Sequence, residues 1–152
     1  MTVLLEYGAD DLATVARTLW GECRGEPRSG QVAVAWVICN RASRTAFAGM
    51  LAGQVGAASA VCRKPYQFSC WNPGDPNRDR LLALSSTALR PQLEIADAVL
   101  ANTIRDPTRG ADHYHTIDAP AWAEAWPPDW AGTMRETARF GGHVFYDSRS
   151  RP

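Results

Sequence analysis

Two carboxylates stand four residues apart in Trp20-Gly21-Glu22-Cys23-Arg24-Gly25-Glu26-Pro27, a stretch that separates two apolar helical segments. A carboxyl group near the end of a helix meets the negative pole of the helix dipole, and burial against an indole such as Trp20 disfavours its ionised form further. Both effects raise the pKa of Glu22. A carboxylic acid still protonated near neutral pH can give its proton to a leaving glycosidic oxygen. The competing reading is a solvated helix-end carboxylate paired with Arg24. Glu26 lies beyond a glycine and before Pro27, so it need not face the same way. It either caps or pairs with Arg24 or Arg28, or enters a cleft as a second carboxylate.

Three other groups have side chains suited to chemistry or binding. Tyr66-Gln67-Phe68-Ser69 places an aromatic ring beside an amide and a hydroxyl, the combination that stacks on a sugar face and reads its N-acetyl groups. Tyr66, Gln67 and Ser69 are taken as substrate-binding; Phe68 suits the core equally well, and Trp71 is either a stacking platform or a lid. His113, Tyr114 and His115 alternate as on a strand, so both histidines share a face. With His143 they would make a three-imidazole zinc site; the alternative is that His113, Tyr114 and His115 line a cleft or support Glu22 through hydrogen bonds. Trp122, Trp126 and Trp130 recur every four residues, but Pro127-Pro128 forbids one continuous helical stripe; they read as core packing or, in the alternative, as supplying one exposed glycan platform, with Trp122 the best placed. The four cysteines are compatible with disulfides or with reduced core thiols; Cys62 and Cys70 bracket a short turn that a bridge would staple in an oxidising compartment, whereas Cys23 and Cys39 suit small buried positions.

The elements that must position these groups follow from periodicity. Asp10 to Trp20 carries Leu12, Val15, Ala16 and Leu19 at helical spacing, with Asp10 or Asp11 as cap. Ser29 to Arg41 is apolar almost all round and is expected to be a buried central helix. Ala46 to Ala60 reads as a short helix and loop, Val61 to Trp71 as extended, and Asn72 to Asn77 as a turn. Leu81 to Leu89 is a brief helical piece, and Pro91 opens a better helix over Gln92 to Asn102. A strand is expected at His113 to Thr116, a short helical turn at Ala121 to Trp126, and a closing strand at Gly142 to Tyr146. The sum is a helix-rich α+β domain with a small β element, a single domain over 1–152 with its core at about 10–147.

With 152 residues, 45% of them apolar and 21% charged, the chain can bury a proper core. Sixteen charges of each sign leave no global field toward nucleic acid or an anionic membrane, although Arg63-Lys64, Arg78 and Arg80 could form a local patch. No window approaches a membrane-spanning length. Met1 to Asp11 lacks the pattern of a secretory leader, which suggests cytoplasmic synthesis with release by a permeabilising partner, or a leader removed beforehand.

"ARTLWGECRGEPRSGQVAVAWVICNR" resembles the opening of the SleB-like cell-wall hydrolases, whose pattern runs Glu-Ala-Arg-Gly-Glu-Pro and then Gly-Gln-x-Ala-Val-Ala-x-Val-x-x-Asn-Arg. Cys23 stands where that family usually has Ala. The likeness continues in "VCRKPYQFSCWN", "IRDPTRGADHYHT" and "GGHVFY", so it spans roughly Val15 to Tyr146 in four ordered blocks. The resemblance implies a lysozyme-like, two-lobed arrangement with an acid in the cleft, and Glu22 falls on the family's catalytic acid. It further implies cleavage of the β-1,4 bond between N-acetylmuramic acid and N-acetylglucosamine in peptidoglycan, commonly as a lytic transglycosylase, by a monomer with no cofactor. A second carboxylate, Glu26, would allow hydrolysis at a separation of roughly 5 to 9.5 Å. Two rivals are a zinc amidase built on His113, His115 and His143, and a non-catalytic wall-binding virion component.

Overall fold

In the computed structural model, which describes residues 5–152, six helices precede a three-stranded sheet. Met1 to Leu4, part of the stretch read for a leader, lie outside the described residues. The first helix, α1 (Ala9–Cys23), forms as its spacing requires: Val15, Ala16 and Leu19 are completely buried. Its cap is Gly8 rather than an aspartate. Asp11, one turn in, accepts from the Gly8 N–H at 2.9 Å and also from the Gly56 and Ser59 N–H groups at 2.9 and 3.0 Å. One buried carboxylate therefore satisfies the starts of two helices, α1 and α4 (Ala57–Arg63).

The central helix, α2 (Arg28–Ala42), is buried on nearly every side, with Val34, Val37 and Ile38 fully enclosed and Ala33 and Ala35 small enough for neighbours to approach closely. It packs against α1, α4 and α6 (Arg90–Leu100), the last contributing Ile95, Ala96 and Val99. Between them lie a single turn, α3 (Thr45–Ala48), and α5 (Pro76–Ala83), which Asp75 caps by accepting from Asn77 N–H at 2.8 Å. The segment expected to be extended is instead α4, a turn, and a 3₁₀ turn over Ser69–Trp71. Its small residues Ala57 and Ala58 let a helix settle on α1, and Pro65 ends it. The helical piece expected from Leu81 onward begins five residues earlier, at Pro76.

The sheet has the order β1-β3-β2, all antiparallel: β1 (His113–Thr116), β2 (Arg135–Phe140) and β3 (His143–Asp147). The strand β2 has no counterpart in the sequence expectations. Conversely, the helical turn expected at Ala121–Trp126 is irregular, and a 3₁₀ turn follows at Asp129–Thr133. One sheet face joins the main core through fully buried Phe145. The other carries Val144 and Tyr146 against Ala131, Trp130 and Met134 in a second, smaller cluster.

Candidate active site

Glu22 occupies the last turn of α1, at a cavity of about 490 Å³ lined by Gly21 to Glu26. Gly21 explains what stands beside it. A Cβ there would lie 2.7 Å from Cys70 Cβ and 2.8 Å from Cys70 Sγ, so only glycine lets the Ser69–Trp71 turn close on α1 and bring Cys70 to Glu22. Trp71 secures the same turn by donating from Nε1 to Thr18 Oγ1 at 2.9 Å, one helical turn before Glu22. Burial pushes the Glu22 pKa up; the Cys70 thiol and peptide N–H oppose this by favouring the charged form, and the nearby Asp75 charge adds to the rise. The cleft carboxyl is thus biased toward its protonated form.

Tyr114 reaches into this neighbourhood from β1. Burial, and next the Glu22 charge, hold its phenol well above the ordinary range, while Arg41 works in the opposite direction. Arg41, a charge within the otherwise apolar α2, is buried and donates from Nε to the Asp112 carbonyl at 2.6 Å and from Nη1 to Gln67 Oε1 at 3.1 Å. Its guanidinium lies 5.3 Å from the Phe47 ring centre and 5.5 Å from that of Phe68. It joins the helical lobe to β1 and fixes Gln67 by its carbonyl oxygen, leaving the amide N–H groups outward.

Glu26 pairs with neither Arg24 nor Arg28. Its Oε2 accepts from the Gly142 N–H at 3.0 Å, and Oε1 stands 3.5 Å from His143 Nδ1. Gly141, with φ +56, and Gly142 present bare backbone to this carboxylate: a Cβ on either would come within 2.4 and 2.9 Å of it. The Arg24 to Pro27 connector is itself held by buried Gln31, which donates to the Glu26 carbonyl at 3.1 Å and accepts from Gln92 at 3.2 Å. Glu26 therefore latches the connector to the β2–β3 hairpin while lining the Glu22 cavity.

The structure divides the remaining expected site residues. Tyr114 and His143 share the inner sheet face, their rings 5.0 Å apart. His113 and His115 lie on the opposite face, packed 5.2 and 5.7 Å from Trp130. His113 Nδ1 is 2.8 Å from Asp112 Oδ1, and His115 Nε2 is 2.8 Å from the Tyr146 hydroxyl. The three imidazoles do not converge, and among the described residues no group of three or more His, Cys, Asp or Glu side chains is placed to hold a metal. The expectation that His113 and His115 flank Glu22 is corrected by the pleat, which sends alternate residues to opposite faces. Trp122 is 79% exposed and touches Trp126, at the edge of that outer aromatic cluster. Tyr66 and Ser69 are exposed, Tyr66 at φ +64, and Phe68 is core. Cys62 and Cys70, the candidates for a bridge, are both free and buried, as are Cys23 and Cys39. Cys62 points from α4 toward Thr18 while Cys70 faces Glu22, and burial raises both thiols.

Gly21, Arg41 and the Gly141-Gly142 pair have no site role in the sequence expectations, and Cys70 figures there only as a disulfide partner of Cys62. The signals available were the isolated charge in an apolar helix for Arg41 and the adjacent glycines before the last strand.

The cell wall hydrolase family profile matches residues 25–146, beginning three residues after Glu22. The spore cortex-lytic enzymes of Halalkalibacterium halodurans and Bacillus cereus are each 29% identical over 139 residues, 91% of this chain. The chain spans 35% and 45% of their respective lengths. Among solved structures, the catalytic domain of Bacillus cereus SleB superposes with a TM-score of 0.65 at 26% identity, covering 97% of this chain and 98% of that domain. The catalytic domain of the germination-specific lytic transglycosylase SleB from Bacillus anthracis gives 0.63 at 28% identity, covering 93% and 97%. The helix-rich, lysozyme-like fold is that of these domains.

Proposed function

Because the chain belongs to the cell wall hydrolase family, we propose that it cleaves the β-1,4 bond between N-acetylmuramic acid and N-acetylglucosamine in peptidoglycan, as a lytic transglycosylase with Glu22 as its acid and base. The observation that carries this reading is the half-buried Glu22 carboxyl at the cleft, whose desolvation favours its protonated form. In the first step Glu22 gives its proton to the leaving glycosidic oxygen as the bond from the muramyl anomeric carbon breaks. The Glu22 carboxylate then takes the proton of the muramyl C6 hydroxyl, whose oxygen closes on that carbon to form the 1,6-anhydro ring. No water is consumed, and Glu22 ends as it began.

The engagement of Glu26 with Gly142 and His143 supports a single-acid mechanism, since that carboxylate is already committed to joining connector and hairpin. Tyr114, close to Glu22, and Gln67, oriented by Arg41, are assigned to substrate binding, with Tyr66 and Ser69 on the exposed side of the same segment. The substrate is reached in the wall; among the described residues no helix is long and apolar enough to cross a membrane.

The test is the release of soluble fragments from purified sacculi by wild type, Glu22→Gln and Glu26→Gln. Loss of about 10² to 10⁴ in rate is expected for Glu22→Gln, the usual worth of a general acid. A Glu22→Gln protein as active as wild type would overturn the assignment.

A further inference from the structure

The cleft has a cationic rim that the acid/base chemistry leaves unused. Arg24 lines the same cavity as Glu22, and its guanidinium carbon lies 4.0 Å from the centre of the Trp20 ring. Arg80, brought by α5, stands 5.3 Å from the same ring. The two cations are thus within about one screening length, ~10 Å, of each other. Among the described residues neither has a carboxylate within 4.0 Å. Arg24 uses one donor, Nη1, on the Trp20 carbonyl at 2.9 Å, and its other N–H groups are uncommitted. Arg78, also on α5, has a buried Nε without a hydrogen-bond partner, and with Arg63 and Trp71 it lines a further cavity of about 300 Å³. Arg63 is paired with Asp10 at 3.2 Å, so in a chain of zero net charge the guanidinium groups left here without a carboxylate partner among the described residues are those of Arg24, Arg78 and Arg80.

Stacking on an indole fixes the plane of a guanidinium and leaves its edge free to donate, the arrangement that receives a planar carboxylate through two parallel hydrogen bonds. Muramyl residues carry, through their lactyl group, peptide stems with free carboxylates. Resting on the glycosidase reading above, we propose that the Arg24, Trp20 and Arg80 cluster is a subsite for a stem carboxylate, so that the protein selects glycan strands bearing anionic stems.

The probe is purified peptidoglycan stripped of phosphate polymers, used with its stem carboxylates free or converted to amides with carbodiimide and ammonia. Co-sedimentation with the Glu22→Gln protein measures affinity without digestion. Binding to the free-carboxylate material is expected to be about tenfold tighter than to the amidated material, the scale of one exposed charge-assisted contact. The preference should fall toward unity in the same protein carrying Arg24→Gln and Arg80→Gln, and with rising salt. Because Arg24 also caps α1, Arg80→Gln alone, at an exposed side chain, is the second variant and should remove part of the preference. Equal binding to the two materials, or a preference that survives the double substitution, overturns the proposal. Failure of the wild type to release fragments from either material would instead overturn the glycosidase reading, and the binding comparison would still decide the subsite.

Discussion

Gly141→Ala puts the latch between the connector and the hairpin under direct test. At φ +56 an alanine costs about 1 to 2 kcal/mol of backbone strain. Its Cβ would also stand 2.4 Å from Glu26 Oε2, a separation that real atoms do not tolerate, so the carboxylate must move and release the Gly142 N–H. That charged hydrogen bond is worth about 1.5 to 3 kcal/mol. The expected loss is therefore about 2.5 to 5 kcal/mol, and at about 2 to 4 °C per kcal/mol for a chain of this size Tm should fall by roughly 5 to 20 °C. Urea and thermal denaturation followed by circular dichroism measure both quantities. Gly132→Ala, where nothing lies within 4 Å of the new Cβ, is the control and should change little. In a Glu26→Ala background the contact with the carboxylate is gone, and Gly141→Ala should cost only its backbone strain and the tight approach to Pro27 Cδ at 3.2 Å, less than in the wild type. A cost equal in the two backgrounds would refute the claim that Glu26 is seated against Gly141.

Stability should respond to pH through Glu22 in a defined direction. Its folded pKa is raised above the ordinary 4.5, so folding favours the proton, and the wild type loses stability as pH rises from that value through the folded pKa. Glu22→Gln should accordingly be more stable than wild type above the folded pKa and no different well below pH 4.5, as denaturant midpoints at the two extremes will show. The activity of the wild type should decline on the alkaline side of the same raised pKa. At the other end of β1, fully buried Asp112 accepts from Ser148 N–H at 2.9 Å and Ser148 Oγ at 2.5 Å, with Arg44 2.9 Å away. Against the opposing effect of burial, the hydrogen bond with His113 and then those from the Ser148 hydroxyl and N–H hold its carboxyl well below the usual range. Its stabilising contribution is present above the ordinary carboxylate pKa of 3.8 and is lost as pH falls below it toward the depressed folded value. Asp112→Asn should lower stability by about 3 to 5 kcal/mol at neutral pH and flatten that acid limb in a pH titration of Tm. Ellman's reagent should find no rapidly reacting thiol in the native protein and four after denaturation, since all four cysteines are free and buried.

The long apolar patterns made α1, α2 and α6 legible, and the alternation at His113–Thr116 and before Tyr146 made β1 and β3 so. Strand β2 was not, because Arg-Glu-Thr-Ala-Arg-Phe, at the sheet edge, has no fully buried residue and carries no apolar alternation. The helix α4 was hidden by the opposite effect: alanines and a serine show little periodicity, and their helical state comes from packing on α1 and the cap from Asp11. Glu22 stood out because its chemistry depends on one residue at a helix end. Its surroundings did not, since Gly21 meeting Cys70 and Glu26 meeting Gly142 join residues far apart in the chain. His113 and His115 were placed on a common face correctly, but which face meets the cleft is decided by the docking of the sheet, through Phe145, against the helices.

The central claim is that Glu22 serves alternately as acid and base while the muramyl C6 hydroxyl, and no water, closes the reaction. Mass spectrometry of the muropeptides released from sacculi by the wild-type protein tests it most directly. Ring closure by the C6 hydroxyl should leave 1,6-anhydro ends, each lighter by one water than a reducing-end sugar; reducing ends in their place would refute it and would make Glu26, latched to the hairpin or not, the carboxylate to pursue.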